Sequence, residues 1–335
     1  MKKRIGLLLC LCTLMCAGCA DKSIFVTSFD KRYLFALGDH RVTVGAYQTV
    51  LLDVQRQYEA YYGEMMGEDI WSRETEDGET FAEYVKQNVV LDELVTLEVL
   101  QVAAEELNLQ LTEEEQTKLE EAAECYMSKV DAATVAYTRM DLEQIQELMG
   151  KYCLAEKVIE YYADQTDLEV SENEARAIRI QTVTTAEKET VAEILSHVEA
   201  GNSFLTVVEQ YDETETEEYN VVRGELKPEL EEAAFALAQG EYSPVLETAE
   251  GYCLIYCVND YLEDMTQSNK EAIVSDRIYQ AWYTEAVQLR EELPLYLNGS
   301  QWKRVKLAGD ASLQGYFFET YQEWFPLTMH MELDQ

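Results

Sequence analysis

Residues 228 to 237 read Pro228-Glu-Leu-Glu-Glu-Ala-Ala-Phe-Ala-Leu237, followed by Gly240-Glu241-Tyr242-Ser243-Pro244-Val245 and then Gly251-Tyr252-Cys253-Leu-Ile-Tyr-Cys-Val258. The first run has helical spacing, whereas Tyr242 to Leu246 and Tyr252 to Val258 read as strands. Working outward on the N-terminal side, Ala175 to Val183 is strand-like, and Thr184 to Glu199 and Phe204 to Tyr211 are helical. The pattern predicts a compact βαααββ domain over 171–262.

The flanks are different. Thr43 can cap a helix to about Tyr62, preceded by a short strand, a Gly38-Asp39 turn and a second strand over 33–44. Glu79 to Leu107 lacks Gly and Pro and opens on a Thr80–Glu83 capping box, with Phe81, Val85 and Val89 at helical spacing. Further boxes mark helix starts at Thr112 with Glu115, Asp141 with Gln144, and Ser171 with Glu174. Residues 33–170 thus read as a helical domain. A last helix over about 268–293, within a segment 263–297, puts Ile278, Trp282, Ala286, Leu289 and Leu293 on one stripe, and we expect it to pack back on the N-terminal domain. The tail 298–335 keeps Trp302, Phe317, Phe318, Trp324 and Phe325, too aromatic for simple disorder, and the sequence does not place it. The fold class is mostly α plus α+β.

Composition limits the partners. The 335 residues carry 26 Lys plus Arg against 65 Asp plus Glu, a formal charge of −39. Phosphate binding needs clustered cations, so a nucleic-acid partner is excluded. With 47% apolar residues the acid sits on a chain that can fold, and four prolines with 15 glycines favour long helices over a many-stranded barrel.

Lys2, Lys3 and Arg4, the apolar run Ile5 to Met15, then Ala17 and Gly18 before Cys19 read as an export signal over 1–18. The step Cys16-Ala17-Gly18-Cys19 resembles a lipobox, with Cys16 where Leu is usual; it predicts lipidation at Cys19 and a tether over 19–32. Ordinary cleavage near Ala20 is the alternative. Four cysteines remain, and Cys253 and Cys257, roughly 13 Å apart on one strand, cannot bridge each other. His40, His197 and His330 are isolated, so no metal and no cofactor is expected. There is no P-loop, G-x-S-x-G or H-E-x-x-H motif.

A lipoprotein signal, a helical N-terminal domain, the βαααββ unit and a returning helix together resemble the PrsA and SurA class of extracytoplasmic foldases. The N-terminal likeness rests on Leu34 to Tyr62 and on Asp69-Ile70-Trp71 through Gly78-Glu79-Thr80-Phe81. Residues 228–258 resemble the parvulin run PEFEEAAFAL, GE-S-PV, GYH, which implies a peptidyl-prolyl isomerase (rotamase) domain. The resemblance places the first-strand histidine of the family at Arg179, within Arg176-Ala177-Ile178-Arg179-Ile180-Gln181, and the last-strand histidine at Cys253. It aligns the Met and Phe of the proline pocket with Leu226 and Leu230, and a polar pocket residue with Thr248. The loop 212–218 carries five acids, and either Asp212 or Glu213 could take the acidic position of the family.

Arginine is permanently charged and cannot replace a neutral imidazole, while cysteine acts as a small hydrophobe. Weak or absent isomerase activity is therefore expected. On strand alternation Ala177, Arg179 and Gln181 share one face, read as the old substrate face, and Ile178 and Ile180 the other, read as core. Arg179 is expected either to pair with Glu250 or the 212–218 acids, or to stay solvated. The leading reading is a lipid-tethered chaperone of unfolded exported polypeptides, compatible with a homodimer. The alternatives are an active isomerase with a pocket rebuilt around Leu226, Leu230, Phe235 and Thr248, and a solute-binding or structural lipoprotein, whose two-lobed α/β pattern is missing here.

Overall fold

The computed structural model describes residues 23–26, 29–66, 68–211 and 215–326. The signal, Cys19, most of the tether, Asp212, Glu213 and the last nine residues with His330 lie outside the described residues. The chain divides into two compact units, one of residues 1–167 with 277–335 and one of residues 168–276.

The first unit opens with strands β1 (Ser23–Val26), β2 (Tyr33–Leu37) and β3 (His40–Thr43), then helix α1 (Val44–Met66), whose Ala46 N–H donates to Thr43 Oγ1 at 3.0 Å. A 3₁₀ turn (Glu68–Ser72) leads to α2 (Phe81–Tyr84), where Thr80 and Glu83 form the expected capping box. The predicted single helix continues as a π-helical stretch, Val85–Leu91, before α3 (Asp92–Glu106). Next come α4 (Glu113–Lys129), α5 (Ala132–Thr138) and α6 (Leu142–Asp164), with capping boxes at Thr112 and Asp141 as read from sequence.

The second unit begins with one turn, α7 (Glu172–Ala175), capped by Ser171. It continues with β4 (Ile178–Thr185), α8 (Lys188–Glu199), α9 (Phe204–Val208), β5 (Glu215–Val221), α10 (Pro228–Ala236), β6 (Leu246–Thr248) and β7 (Gly251–Asn259). Its antiparallel sheet has the order β5-β4-β7-β6. Helix α11 (Glu263–Glu292) starts in this unit, and from Arg277 onward the chain belongs to the first unit, with Ile278, Trp282 and Ala286 buried.

Three expectations for the second unit are corrected. The order is βααβαββ, because β5 forms where the acidic run suggested a loop: Tyr219 and Val221 turn inward, while Glu217 and Glu218 stay exposed on an edge strand, the place where charge is tolerated and blocks further pairing. The first strand starts at Ile178, not Ala175, since the Ala177 N–H goes to Thr266 Oγ1 (3.0 Å), and it runs on to Thr185, so α8 starts later than expected. Tyr242 contributes an isolated bridge to Tyr256, and the strand proper forms after Pro244, which has no N–H to give a ladder.

The first unit closes with β8 (Leu295–Asn298), α12 (Gly299–Trp302) and α13 (Phe317–Trp324). Strand β8 enters a second sheet of order β1-β8-β2-β3, parallel to β1 and antiparallel to β2. The tail is core: Val305, Leu313, Phe317, Phe318 and Tyr321 are buried, and the Phe317 ring meets those of Tyr126 and Tyr152 at 6.0 and 5.8 Å.

Candidate functional site

The residues singled out in the second unit separate by strand face. Ile178 and Ile180 of β4, Val221 of β5, Ala234 and Phe235 of α10, and Cys253 and Ile255 of β7 form one buried cluster. Leu226, Leu230, Leu237, Leu246 and Tyr219 pack around it, half-buried. Cys253 is only 2% exposed, and burial pushes its thiol upward, against a hydrogen bond with Thr184. A buried, protonated thiol is an inert hydrophobe.

Arg179 lies between two residues that both face this cluster, so its side chain leaves from the opposite face. Its Nε donates to Asn220 Oδ1 at 2.8 Å, and Asn220 likewise lies between the inward Tyr219 and Val221. The same outward ladder joins Gln181 to Glu218. Arg179 thus bonds an amide instead of an acid; Glu250 is taken by Lys227, which lowers the Glu250 carboxyl and raises the lysine. The structure brings Cys253, Leu226 and Leu230 together and leaves Arg179 apart. The α10 side, not the Arg179 side, is the face that the apolar pocket candidates share.

Thr248 is held locally. Its hydroxyl accepts from Glu250 N–H (3.2 Å) and donates to the Gly251 carbonyl (3.1 Å), closing the two-residue turn between β6 and β7. Gly251 has φ 133°, and a Cβ there would lie 2.4 Å from the Thr185 carbonyl, so the turn needs glycine.

An open cleft of about 600 Å³ runs beside α10, lined by Arg223, Gly224, Leu226, Pro228, Glu231 and Phe235 among others. Two guanidiniums, of Arg223 at 4.4 Å and Arg176 at 5.4 Å, sit over the Phe235 ring, and Arg176 also bonds the Phe235 carbonyl. Sequence reasoning gave neither arginine a role, and nothing local marks that Arg176 meets a ring 59 positions away. Glu231 ties the cleft's rim by accepting from Gly224 N–H at 2.6 Å. The lining holds no imidazole, and among the described residues no group of acids, cysteines and histidines could hold a metal. His40 belongs to the first unit, where Glu98 at 3.5 Å raises its pKa. Among the described residues no helix is long and apolar enough to cross a membrane.

Residues 154–261 match the family described as the PPIC-type PPIASE domain. The foldase protein PrsA of Caldanaerobacter subterraneus subsp. tengcongensis is 28% identical over 232 residues, covering 64% of this chain and 69% of the relative. PrsA of Oceanobacillus iheyensis is also 28% identical, over 241 residues, 64% of this chain and 79% of the relative. The chain is PrsA-like, with a parvulin-type domain. The crystal structure of PrsA from Bacillus cereus aligns at 17% identity with a TM-score of 0.34, covering 74% of this chain and 97% of that one. The PPIC-type match of this PrsA-like chain begins inside α6, before the second unit, and ends just after β7.

Proposed function

We propose that this protein is a membrane-anchored extracytoplasmic foldase that holds unfolded exported polypeptides, and that its parvulin-type domain binds chains without efficiently isomerising them. The observation that carries the second half is the split between Cys253, sealed in apolar surroundings, and Arg179, turned to the other face. Rotation about a prolyl bond starts from the same amide resonance that gives ordinary peptide bonds a barrier of roughly 18 to 20 kcal/mol, and lowering it takes placed polar contacts around the rotating carbonyl. Leu226, Leu230, Phe235 and Cys253 supply an apolar floor and no such contacts. The cleft beside Leu226 and Phe235 supports a second reading, an isomerase with a rebuilt pocket.

Exchange NMR on short Xaa-Pro peptides separates the two. The natural protein is expected to change the cis/trans exchange rate by less than about twofold, where positioned acid–base or polar catalysis would give on the order of a hundredfold. The Arg179→His, Cys253→His double variant is expected to stay silent, because its two imidazoles would emerge on opposite sheet faces. Exchange by the natural protein makes it an enzyme, and a gain in the variant overturns the assignment of faces. The anchor is tested by mass spectrometry of the mature protein, which is expected to show an acylated Cys19 as the first residue; a free Ala20 refutes it.

A further inference from the structure

The first unit carries a chain of aromatic rings at its surface that its own core does not use up. Tyr61 meets Tyr62 at 4.7 Å, Tyr62 stacks on Tyr58 at 5.7 Å, and Tyr58 meets Phe81 at 5.5 Å and Trp71 at 6.2 Å. Trp71 and Phe81 stack at 5.7 Å, and Phe81 stacks on Tyr84 at 6.1 Å. Tyr61 is 62% exposed and Tyr84 37%, and the four rings between them are half-buried. The Trp71 indole is fixed by its Nε1–H, which donates to Glu59 Oε1 at 3.1 Å. Rings held this way offer area without much rotamer entropy to lose.

The setting of the rings is acidic. Residues 68–84 hold seven acids against one arginine, Arg73. Glu74, Glu76 and Asp77 stand exposed on a tight loop that ends directly at Phe81, closed by the Glu74–Thr80 bridge and by Thr75 N–H to the Glu79 carbonyl at 2.8 Å. Among the described residues none of these three acids makes an ion pair within 4 Å. Lys86, next along the chain, sits over the Trp302 ring at 5.1 Å instead of answering them.

We infer that this patch is a docking surface for unfolded polypeptide segments in which apolar residues alternate with lysine or arginine. Rings attract cations through their faces, and a fixed acidic loop beside them raises the local concentration of positive charge. The same loop repels nucleic acid and anionic lipid, which would otherwise compete for stacked rings. The inference rests on the chaperone reading and adds to it a preference in client chemistry.

Fluorescence anisotropy with the full-length protein tests it, using a short labelled peptide of alternating leucine and arginine and its counterpart with glutamate for arginine. The arginine peptide is expected to bind at least tenfold more tightly, and high salt to weaken it. A Tyr61→Ser, Tyr84→Ser double variant and, separately, a Glu76→Lys, Asp77→Lys variant are each expected to lose about tenfold in affinity; these positions are exposed, so a normal melting curve certifies the fold. Equal binding of both peptides, or undiminished binding by both variants, overturns the patch while a protein that still suppresses aggregation of a denatured client keeps the chaperone reading. A natural protein that binds neither peptide and suppresses nothing overturns both.

Discussion

Truncation after Asn298 is expected to abolish cooperative unfolding of the first unit. The segment removed supplies Val305, Leu313, Phe317, Phe318 and Tyr321 to the core, and it leaves behind the rings of Tyr47, Tyr126 and Tyr152 that packed against it. A buried Phe cut to Ala costs about 3 to 5 kcal/mol, and a domain has only about 5 to 15 kcal/mol in all. Polar groups add to the loss. Gln55 both accepts from Ala308 N–H (2.8 Å) and donates to its carbonyl (3.0 Å), and Arg56 Nε donates to the Leu313 carbonyl at 2.9 Å. Each would be left without its partner beneath a newly opened surface. Hydrogen exchange should show the amides of α1, α4 and α6 unprotected in the truncated chain, and Phe317→Ala alone should lower stability by about 3 to 5 kcal/mol. A truncated chain that melts like the natural one would mean that the tail is an appendage.

The parts of this fold that the sequence discloses are those written in local chemistry. Thr80, Thr112 and Asp141 announce helix starts because a cap and its partner lie three residues apart. The tail stayed unplaced because its anchors are remote: Asp53 meets Phe317 across 264 positions, and only a folded chain joins them. Strand β5 was hidden for a different reason. Its acids suit a solvated loop as well as an exposed edge, and Tyr219 and Val221 decide for the edge only once Ile178 and Ile180 lie opposite them. The candidate site was half legible. The apolar run from Pro228 to Leu237 and the strand through Cys253 identify the elements, and the resemblance proposes Arg179 and Cys253 for the two histidine positions of the family. Which face each side chain takes could not, since alternation fixes only relative phase; the phase itself comes from Phe235 and Val221 packing against the isoleucines. Reading the isoleucines as core was sound, but the same face also holds Cys253, Leu226 and Leu230, so core and pocket candidates lie together.

Asp53 is expected to make the first unit more stable in mild acid than at neutrality. This carboxylate on α1 is buried and caps α13 from a distance, accepting from Phe317 N–H at 2.8 Å and Phe318 N–H at 3.3 Å, with Gln57 at 3.2 Å. Gly315 permits the approach, since a Cβ there would stand 2.8 Å from the Asp53 Cα. Two demands conflict: the helix N-terminus favours a negative charge, whereas burial penalises it. Burial prevails, and the carboxyl is pushed up to about 6. The unfolded chain holds its aspartates near about 3.9, so the folded state takes the proton first. The stabilisation is therefore complete below about pH 4 and is lost as pH rises through about 6, a swing of about 3 kcal/mol. Glu156 acts with the same sign at higher pH: burial raises it to about 8, although the Tyr321 hydroxyl donates to it at 3.0 Å. Thermal melts from pH 4 to 9 should thus fall steadily in the natural protein. Asp53→Asn should make the fall between about pH 4 and 6 shallower and leave the slope above about pH 6 unchanged, whereas Glu156→Gln should make the fall shallower from about pH 4.3 upward and remove most of it above about pH 6. Asp53→Ala should cost about 3 kcal/mol near pH 4, because two buried N–H donors at the start of α13 lose their acceptor together, and the cost should shrink as pH rises through about 6, where the natural protein loses the contribution of its own buried carboxyl. A general build-up of acidic repulsion would lower all melts alike with rising pH and leave the Asn and Gln variants parallel to the natural protein; only the two buried carboxyls predict that the Asn variant regains the natural slope above about pH 6 while the Gln variant does not.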